Sequence, residues 1–156
     1  MNILLVVESK HLGNTLKISK AMSESVPVTI VNTQEAKELS LSDYDIVGFG
    51  SGIYMGKHDK RILKFAQGLS HNEAYTFVIS TSGSADFDDN NKALIDILIK
   101  KNKTVLGVFS CKALDKFTFL KLIGGVNKGL PSENDYKNAQ AFIQNVISKY
   151  NNTTSI

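Results

Sequence analysis

Ile3-Leu4-Leu5-Val6-Val7-Glu8-Ser9-Lys10-His11-Leu12-Gly13-Asn14-Thr15 joins an apolar run to a segment that continues with helical periodicity through Ile18, Ala21 and Met22. An apolar run without alternation marks a strand covered on both faces, as the strands of a parallel sheet are. The turn after it is where a parallel α/β protein holds a phosphate. Ser9, Asn14 and Thr15 offer side-chain donors, Gly13 allows close backbone approach, and the first N–H groups of the helix face an arriving anion. Lys10 can add a charge. The same hydroxyl-rich turn also suits simple capping by Asn14 or Thr15, and that reading stays open here.

Further elements repeat the pattern. Apolar strands are expected at Val28 to Val31, Ile46 to Gly50, Thr76 to Ser80 and Thr104 to Phe109. Between them lie a short helical stretch near Glu35 to Leu39, a helix with Ile62, Phe65, Ala66 and Leu69 on one face, and another with Leu94, Ile97 and Leu98. A last helix carries Ala139, Phe142, Ile143, Val146, Ile147 and Tyr150 as one stripe. Each strand is followed by a crossover and none by a hairpin turn. This predicts an α/β fold, a three-layer α/β/α sandwich around a five-stranded parallel sheet. The order 2-1-3-4-5 fits, because Pro27 then begins an edge strand, where a missing N–H is tolerated. Ligands of such sheets bind beyond the carboxyl ends of the strands, at the switch point between strands one and three.

Two more loops open onto that crevice. Gly50-Ser51-Gly52-Ile53-Tyr54-Met55-Gly56-Lys57-His58 is long and Gly-rich and carries an aromatic and a thioether, which suits a flat ring with a polar edge. Tyr54 and Met55 packing over the next helix is the alternative. Thr81-Ser82-Gly83-Ser84-Ala85-Asp86-Phe87-Asp88-Asp89 is rich in donors; Phe87 is a possible second stacking residue, and Asp88 or Asp89 can cap a helix beginning near Asn90.

The loop from Ser9 to Thr15 matches neither a Walker A sequence nor the G-x-G-x-x-G fingerprint. It resembles the flavodoxin phosphate loop, S/T-x-T-G-N-T, with one extra residue, His11-Leu12 standing where a single Thr precedes Gly13-Asn14-Thr15. Residues 50 to 58 resemble the flavin-ring loop of flavodoxin-like proteins, and also the G-S/T-P-x-x-x-G loop of their quinone- and FMN-reductase relatives with Gly52 in place of Pro. The resemblance covers essentially the whole chain in the short-chain layout. It implies FMN as cofactor, with the phosphate at Ser9, His11, Gly13, Asn14 and Thr15. It places the ring against Ser51, Gly52, Ile53, Tyr54, Met55 and Gly56, and the pyrimidine edge at Thr81, Ser82 and Gly83. No catalytic acid or base is expected. His11 and His58 read as anion contacts or solvated residues.

Composition narrows the rest. At 156 residues, 42% hydrophobic and 21% charged, residues 1–150 are expected to form one soluble domain with residues 151–156 as a frayed tail. No basic leader and no long apolar stretch is present, so a cytoplasmic protein is expected, with no membrane partner. The lysines are dispersed and the net charge is +3, which gives no nucleic-acid signature. Cys111, the single cysteine, is expected as a packed thiol, and no metal site is expected. Residues 110–131 are expected as an extra loop that resembles one in some bacterial and archaeal flavodoxin-domain proteins, with Phe117, Phe119, Leu120, Leu122 and Ile123 open to three readings, a lid, a partner surface or, the favoured one, a small satellite core.

The resemblance implies an electron carrier between redox proteins, a monomer or weak dimer. Carriers of this kind are usually acidic, whereas Lys57, His58 and Lys60 flank the ring loop here, so an FMN-dependent NAD(P)H:quinone or flavin reductase is the second reading. A cofactor-free interaction scaffold is the third. A receiver domain needs an acidic cluster after strand one and an Asp after strand three; Glu8 stands alone and Gly50-Ser51 occupies the other place.

Overall fold

The structure, a computed structural model, describes residues 1–10, 12–113 and 129–155. His11 and the satellite core expected from Phe117 to Ile123 lie outside the described residues. The elements follow in the order β1 (Ile3–Glu8), α1 (Asn14–Ser25), β2 (Thr29–Val31), α2 (Thr33–Ala36), a 3-10 turn (Leu41–Asp43), β3 (Ile46–Tyr54), β4 (Lys57–His58), α3 (Lys60–Gln67), β5 (Ala74–Ser82), α4 (Phe87–Lys100), β6 (Lys103–Lys112) and α5 (Glu133–Thr154).

Five strands pair in parallel in the order β2-β1-β3-β5-β6, which is the expected 2-1-3-4-5 counted over the parallel strands alone. Their register runs Ile30, Leu5, Gly48, Phe77, Gly107 across the sheet. Both faces are covered. Ile18 and Met22 of α1 and Ala139, Ile143 and Val146 of α5 bury Leu5, Phe77 and Ile79 on one side. Ala36, Ile62, Ala66, Leu94 and Leu98 bury Leu4, Val6, Phe49 and Val78 on the other.

Glycines on β3 fix which face is which. A Cβ at Gly48 would lie 2.3 Å from the Phe77 ring, and one at Gly50 2.3 Å from Ile79, so both positions must lack a side chain for those residues to cross the strand. Because side chains alternate along a strand, Gly48, Gly50 and Gly52 share the α1/α5 face. Phe49 and Ser51 therefore point toward α3 and α4.

Three expectations change. β3 continues four residues past Gly50 and returns antiparallel through β4, pairing Ile53 with His58 and Tyr54 with Lys57. Contrary to the crossover-only pattern, this strand ends in a hairpin. Its turn is Met55-Gly56, both at positive φ (52° and 75°), the two-residue form whose twist matches that of the strands. The second helix begins earlier, at Thr33, because Asn32 accepts from the Gln34 and Glu35 N–H groups and Glu35 closes a capping box. Residues 151–154, expected to fray, continue α5, with Thr153 and Thr154 hydroxyls donating to the carbonyls of Lys149 and Tyr150. Among the described residues no helix is long and apolar enough to cross a membrane.

Candidate functional site

The carboxyl ends of β1, β3 and β5 lie side by side at the switch point, where sheets of this order hold ligands in a crevice walled by the loops that follow. The first wall is the turn from β1 into the start of α1. Gly13 occupies the N-cap of α1 at φ 67°, a left-handed conformation natural to glycine, with no atom within 4 Å of where a Cβ would stand. Helix α1 has neither a capping side chain at that position nor an acidic residue in its first turn. Its dipole is therefore unopposed at the end that opens on the crevice. The Leu16 N–H donates to Ser9 Oγ at 3.4 Å, which draws Ser9 toward the helix start. Asn14 does not act as the cap, since it is already the first helical residue.

Thr15 joins this wall to the loop after β5. Its hydroxyl lies 2.8 Å from that of Thr81, and both residues are buried. Two hydroxyls bonded to each other use one hydrogen between them, so the second O–H remains available to an acceptor in the crevice. A backbone cradle, a helix dipole and a hydroxyl pair form the donor set a phosphate monoester requires.

The opposite wall is the end of β3. Tyr54 folds back over Gly52, where a Cβ would lie 2.8 Å from the phenol oxygen. Lys10 Nζ stands 5.0 Å from the Tyr54 ring centroid, a cation–π distance. The structure thus brings Gly13, Asn14, Thr15, Thr81, Gly52 and Tyr54 to the crevice. Met55, 96% exposed, and Gly56 form the hairpin tip that ends this wall.

Alternation turns the side chains of Ser51, Ile53 and Ser82 toward the α3/α4 side, leaving their backbone groups to the loops. Ser51 has no exposed surface and points to the α3/α4 side, so its side chain does not face the crevice. Ile53 shares that direction. Ser82 is likewise on the α4 side, accepting from the Ser84 N–H at 3.1 Å and Asn90 Nδ2 at 3.3 Å, while its carbonyl receives the Ala113 N–H. Gly83 is half-buried beside it. Phe87 opens α4 and lines a groove against β6 with Val108 and Ser110; it is not a second stacking residue. Asp88 and Asp89 lie within the first turn of α4 rather than capping it. Cys111 is a packed thiol of the α1/α5 core, and burial pushes its pKa up to about 12.

Two polar constellations escaped the sequence reading. His58, expected as solvated or as an anion contact, is 3% exposed. Its Nδ1 lies 2.8 Å from Ser51 Oγ and its Nε2 2.8 Å from Asn91 Oδ1. Burial pushes its pKa down to about 4, against the Asn91 bond and the Asp59 charge, so it is uncharged at pH 7. Ser, His and Asn in a row have the residue types of a nucleophilic triad, but the fully enclosed Ser51 admits no substrate. The second is a chain of ions. Asp59 caps α3 and binds Arg61 and Lys10 (3.3 Å); Arg61 also binds Glu8 at 2.6 Å, whose carboxylate accepts from the Thr33 N–H and hydroxyl. The alternation of Ser51 with three glycines was a readable signal for the first; nothing local announced the second. Among the described residues no group of three or more His, Cys, Asp or Glu could hold a metal ion.

A family model described as Flavodoxin domain matches residues 4–119. An uncharacterized protein of Methanocaldococcus jannaschii is 36% identical over 148 residues, covering 94% of this chain and 99% of that one. The crystal structure of oxidised Flavodoxin 2 from Bacillus cereus superposes with a TM-score of 0.70 at 15% identity, covering 96% and 99% of the two chains. A rubredoxin oxygen:oxidoreductase from Desulfovibrio gigas matches all of this chain with 38% of its own, at a TM-score of 0.71 and 14% identity.

Proposed function

The chain belongs to the flavodoxin-domain family, and on that premise we propose that it binds FMN and carries electrons between redox proteins in the cytoplasm, as a monomer or weak dimer. The observation that supports this most is the anion cradle of Gly13 and α1, closed by the Thr15–Thr81 pair, facing a wall of glycine and tyrosine across the switch-point crevice. Gly13, Asn14, Thr15 and Thr81 would hold the phosphate, with His11 and Ser9 as further phosphate contacts from the sequence. Gly52 and Tyr54 would meet the ring, with the hairpin to Gly56 beside it and Gly83 toward the pyrimidine edge. FMN supplies the one- and two-electron chemistry; the protein binds, orients and shields it.

The acids and the histidine beside the crevice have other work. Glu8 and Asp59 are ion-paired and His58 is enclosed, an arrangement that favours transfer of electrons over proton-coupled turnover of a substrate. The reductase reading is supported by Lys57 and Lys60, exposed cations in β4 and at the start of α3 that suit a dinucleotide phosphate. His58 no longer counts among them.

Flavin absorbance near ~450 nm in protein reconstituted with FMN, two resolved one-electron stages on anaerobic photoreduction, and no steady NADPH oxidation are expected. Catalytic NADPH oxidation with reduction in a single two-electron stage would transfer the case to the reductase. Tyr54→Ala is expected to weaken FMN by up to about tenfold, the worth of one stacked ring, and to alter the bound flavin's absorbance. An unchanged spectrum and affinity would remove Tyr54 from the ring site.

A further inference from the structure

The β3–β4 hairpin has little apolar anchorage of its own. Only Ile53–His58 and Tyr54–Lys57 pair across it, Met55 is in solvent, and a hairpin this short does not hold itself together in water. Its one fully enclosed side chain among the four paired residues is polar: His58, bonded at both ring nitrogens.

The hydrogen bonding of Asn91 assigns the tautomer. Asn91 Nδ2 donates both hydrogens, to the Phe87 carbonyl at 2.6 Å and to Ser110 Oγ at 2.9 Å, so Oδ1 is the atom facing His58 and must accept. His58 therefore carries its proton on Nε2, and Nδ1 accepts from the Ser51 hydroxyl. Ser51 Oγ in turn accepts the Asp59 N–H at 2.9 Å. The Gly52 carbonyl also lies 2.8 Å from Ser51 Oγ, yet the hydroxyl has a single hydrogen. His58 thus competes with Gly52 for the Ser51 proton.

We propose that His58, as the Nε2–H tautomer, is the positioning residue of the crevice wall: through Ser51 it sets the end of β3 at Gly52, and through Asn91 it ties the hairpin to α4. Its role toward a bound cofactor rests on the flavin reading above. The device suits a wall built on glycine, because Gly52 must stay free of a side chain beneath Tyr54 and cannot anchor itself by packing. The hairpin is therefore held from the opposite face of the sheet, where the alternation puts Ser51.

The test uses His58→Phe, which keeps a ring of similar volume and removes both hydrogen bonds, and Ser51→Ala as the milder break. Nitrogen NMR of the unliganded wild type should show His58 protonated on Nε2 and bare on Nδ1. Backbone relaxation should show the amides of Tyr54 to Lys57 falling from a rigid order parameter of about 0.85 to below about 0.6 in either variant, with sheet amides unchanged. FMN and riboflavin should then lose affinity equally, by about tenfold, since the ring site and not the phosphate site is disturbed. A variant that melts at lower temperature yet keeps an ordered hairpin overturns the proposal, because burial of a stable polar group would explain that result. So does a proton on Nδ1, or unchanged affinity for both flavins when the wild type binds FMN. If the hairpin loosens as expected but the wild type binds neither flavin, the positioning role stands and the flavin reading fails.

Discussion

Alanine at Asn14 and Thr15 together is expected to weaken FMN binding by at least about tenfold to a hundredfold while changing riboflavin by less than about threefold. The difference arises from charge. FMN and riboflavin share the ring and ribityl chain, but only FMN carries a phosphate dianion, the group proposed to meet the start of α1. A charge-assisted hydrogen bond there is worth roughly 1.5–3 kcal/mol, about one to two decades in affinity. The Thr15 and Thr81 hydroxyls, 2.8 Å apart, leave one hydrogen to offer, and removing Thr15 turns the remaining Thr81 hydrogen from the crevice or leaves it without its partner. Riboflavin serves as the internal control for any loss of stability caused by the buried methyl and hydroxyl of Thr15. Titration of both ligands by quenching of flavin fluorescence separates the outcomes. Equal losses would reduce the loop to a helix start with no anion site.

Much of this arrangement was legible. Parallel strands buried on both faces read as unbroken apolar runs, so β1 and the core of β3 and β5 stood out, and the helical stripe ending at Tyr150 placed α5 correctly. The turn at Gly13 was visible as a hydroxyl- and glycine-rich stretch between a strand and a helix. What misled the reading was the hairpin. Met55-Gly56 is not the Asn-Gly or Asp-Gly pair that announces a two-residue turn, and β4 is two residues long, too short for alternation to register.

His58 was misplaced for the same reason. Lys57 and Lys60 flank it in sequence as solvent-seeking cations, but pairing with Ile53 turns His58 inward while Lys57 stays exposed. Asp59 hides in the same way, its charge answered by Lys10 from β1's loop and Arg61 from α3. A partner as distant in the chain as Lys10 leaves no local pattern. Gly48, Gly50 and Gly52 were readable as one face of a strand, and following that period would have turned the Ser51 and Ile53 side chains away from the crevice.

The Asp59 carboxylate carries the second large effect, and it is one of stability. Its side chain has no exposed surface. Oδ1 accepts the Arg61 backbone N–H at 2.9 Å and Arg61 Nε at 3.1 Å, while Oδ2 binds Arg61 Nη2 at 2.9 Å and Lys10 at 3.3 Å. Burial alone would raise its pKa, but the bonds from Arg61 and Lys10 hold it down at about 2, below an ordinary 3.8. A carboxyl depressed on folding stabilises the protein above its unfolded pKa and loses that contribution as pH falls toward its folded pKa. The contribution here is roughly 2 kcal/mol, full above about pH 4 and gone near pH 2. Asp59→Ala removes this charge and the α3 cap together. Because the Arg61 side chain is 45% exposed and can regain water, the expected cost is about 2–3 kcal/mol at pH 7, at or below the lower end of the range for a broken buried pair. Asp59→Asn retains an oxygen for the cap and should cost less. Urea unfolding at pH 7, 4 and 2.5 should show the gap between wild type and Asp59→Asn narrowing only across the last interval. A gap that persists unchanged to pH 2.5, or an Asp59→Ala variant within about 0.5 kcal/mol of wild type at pH 7, would mean that the ion chain adds nothing to stability beyond what a surface pair provides.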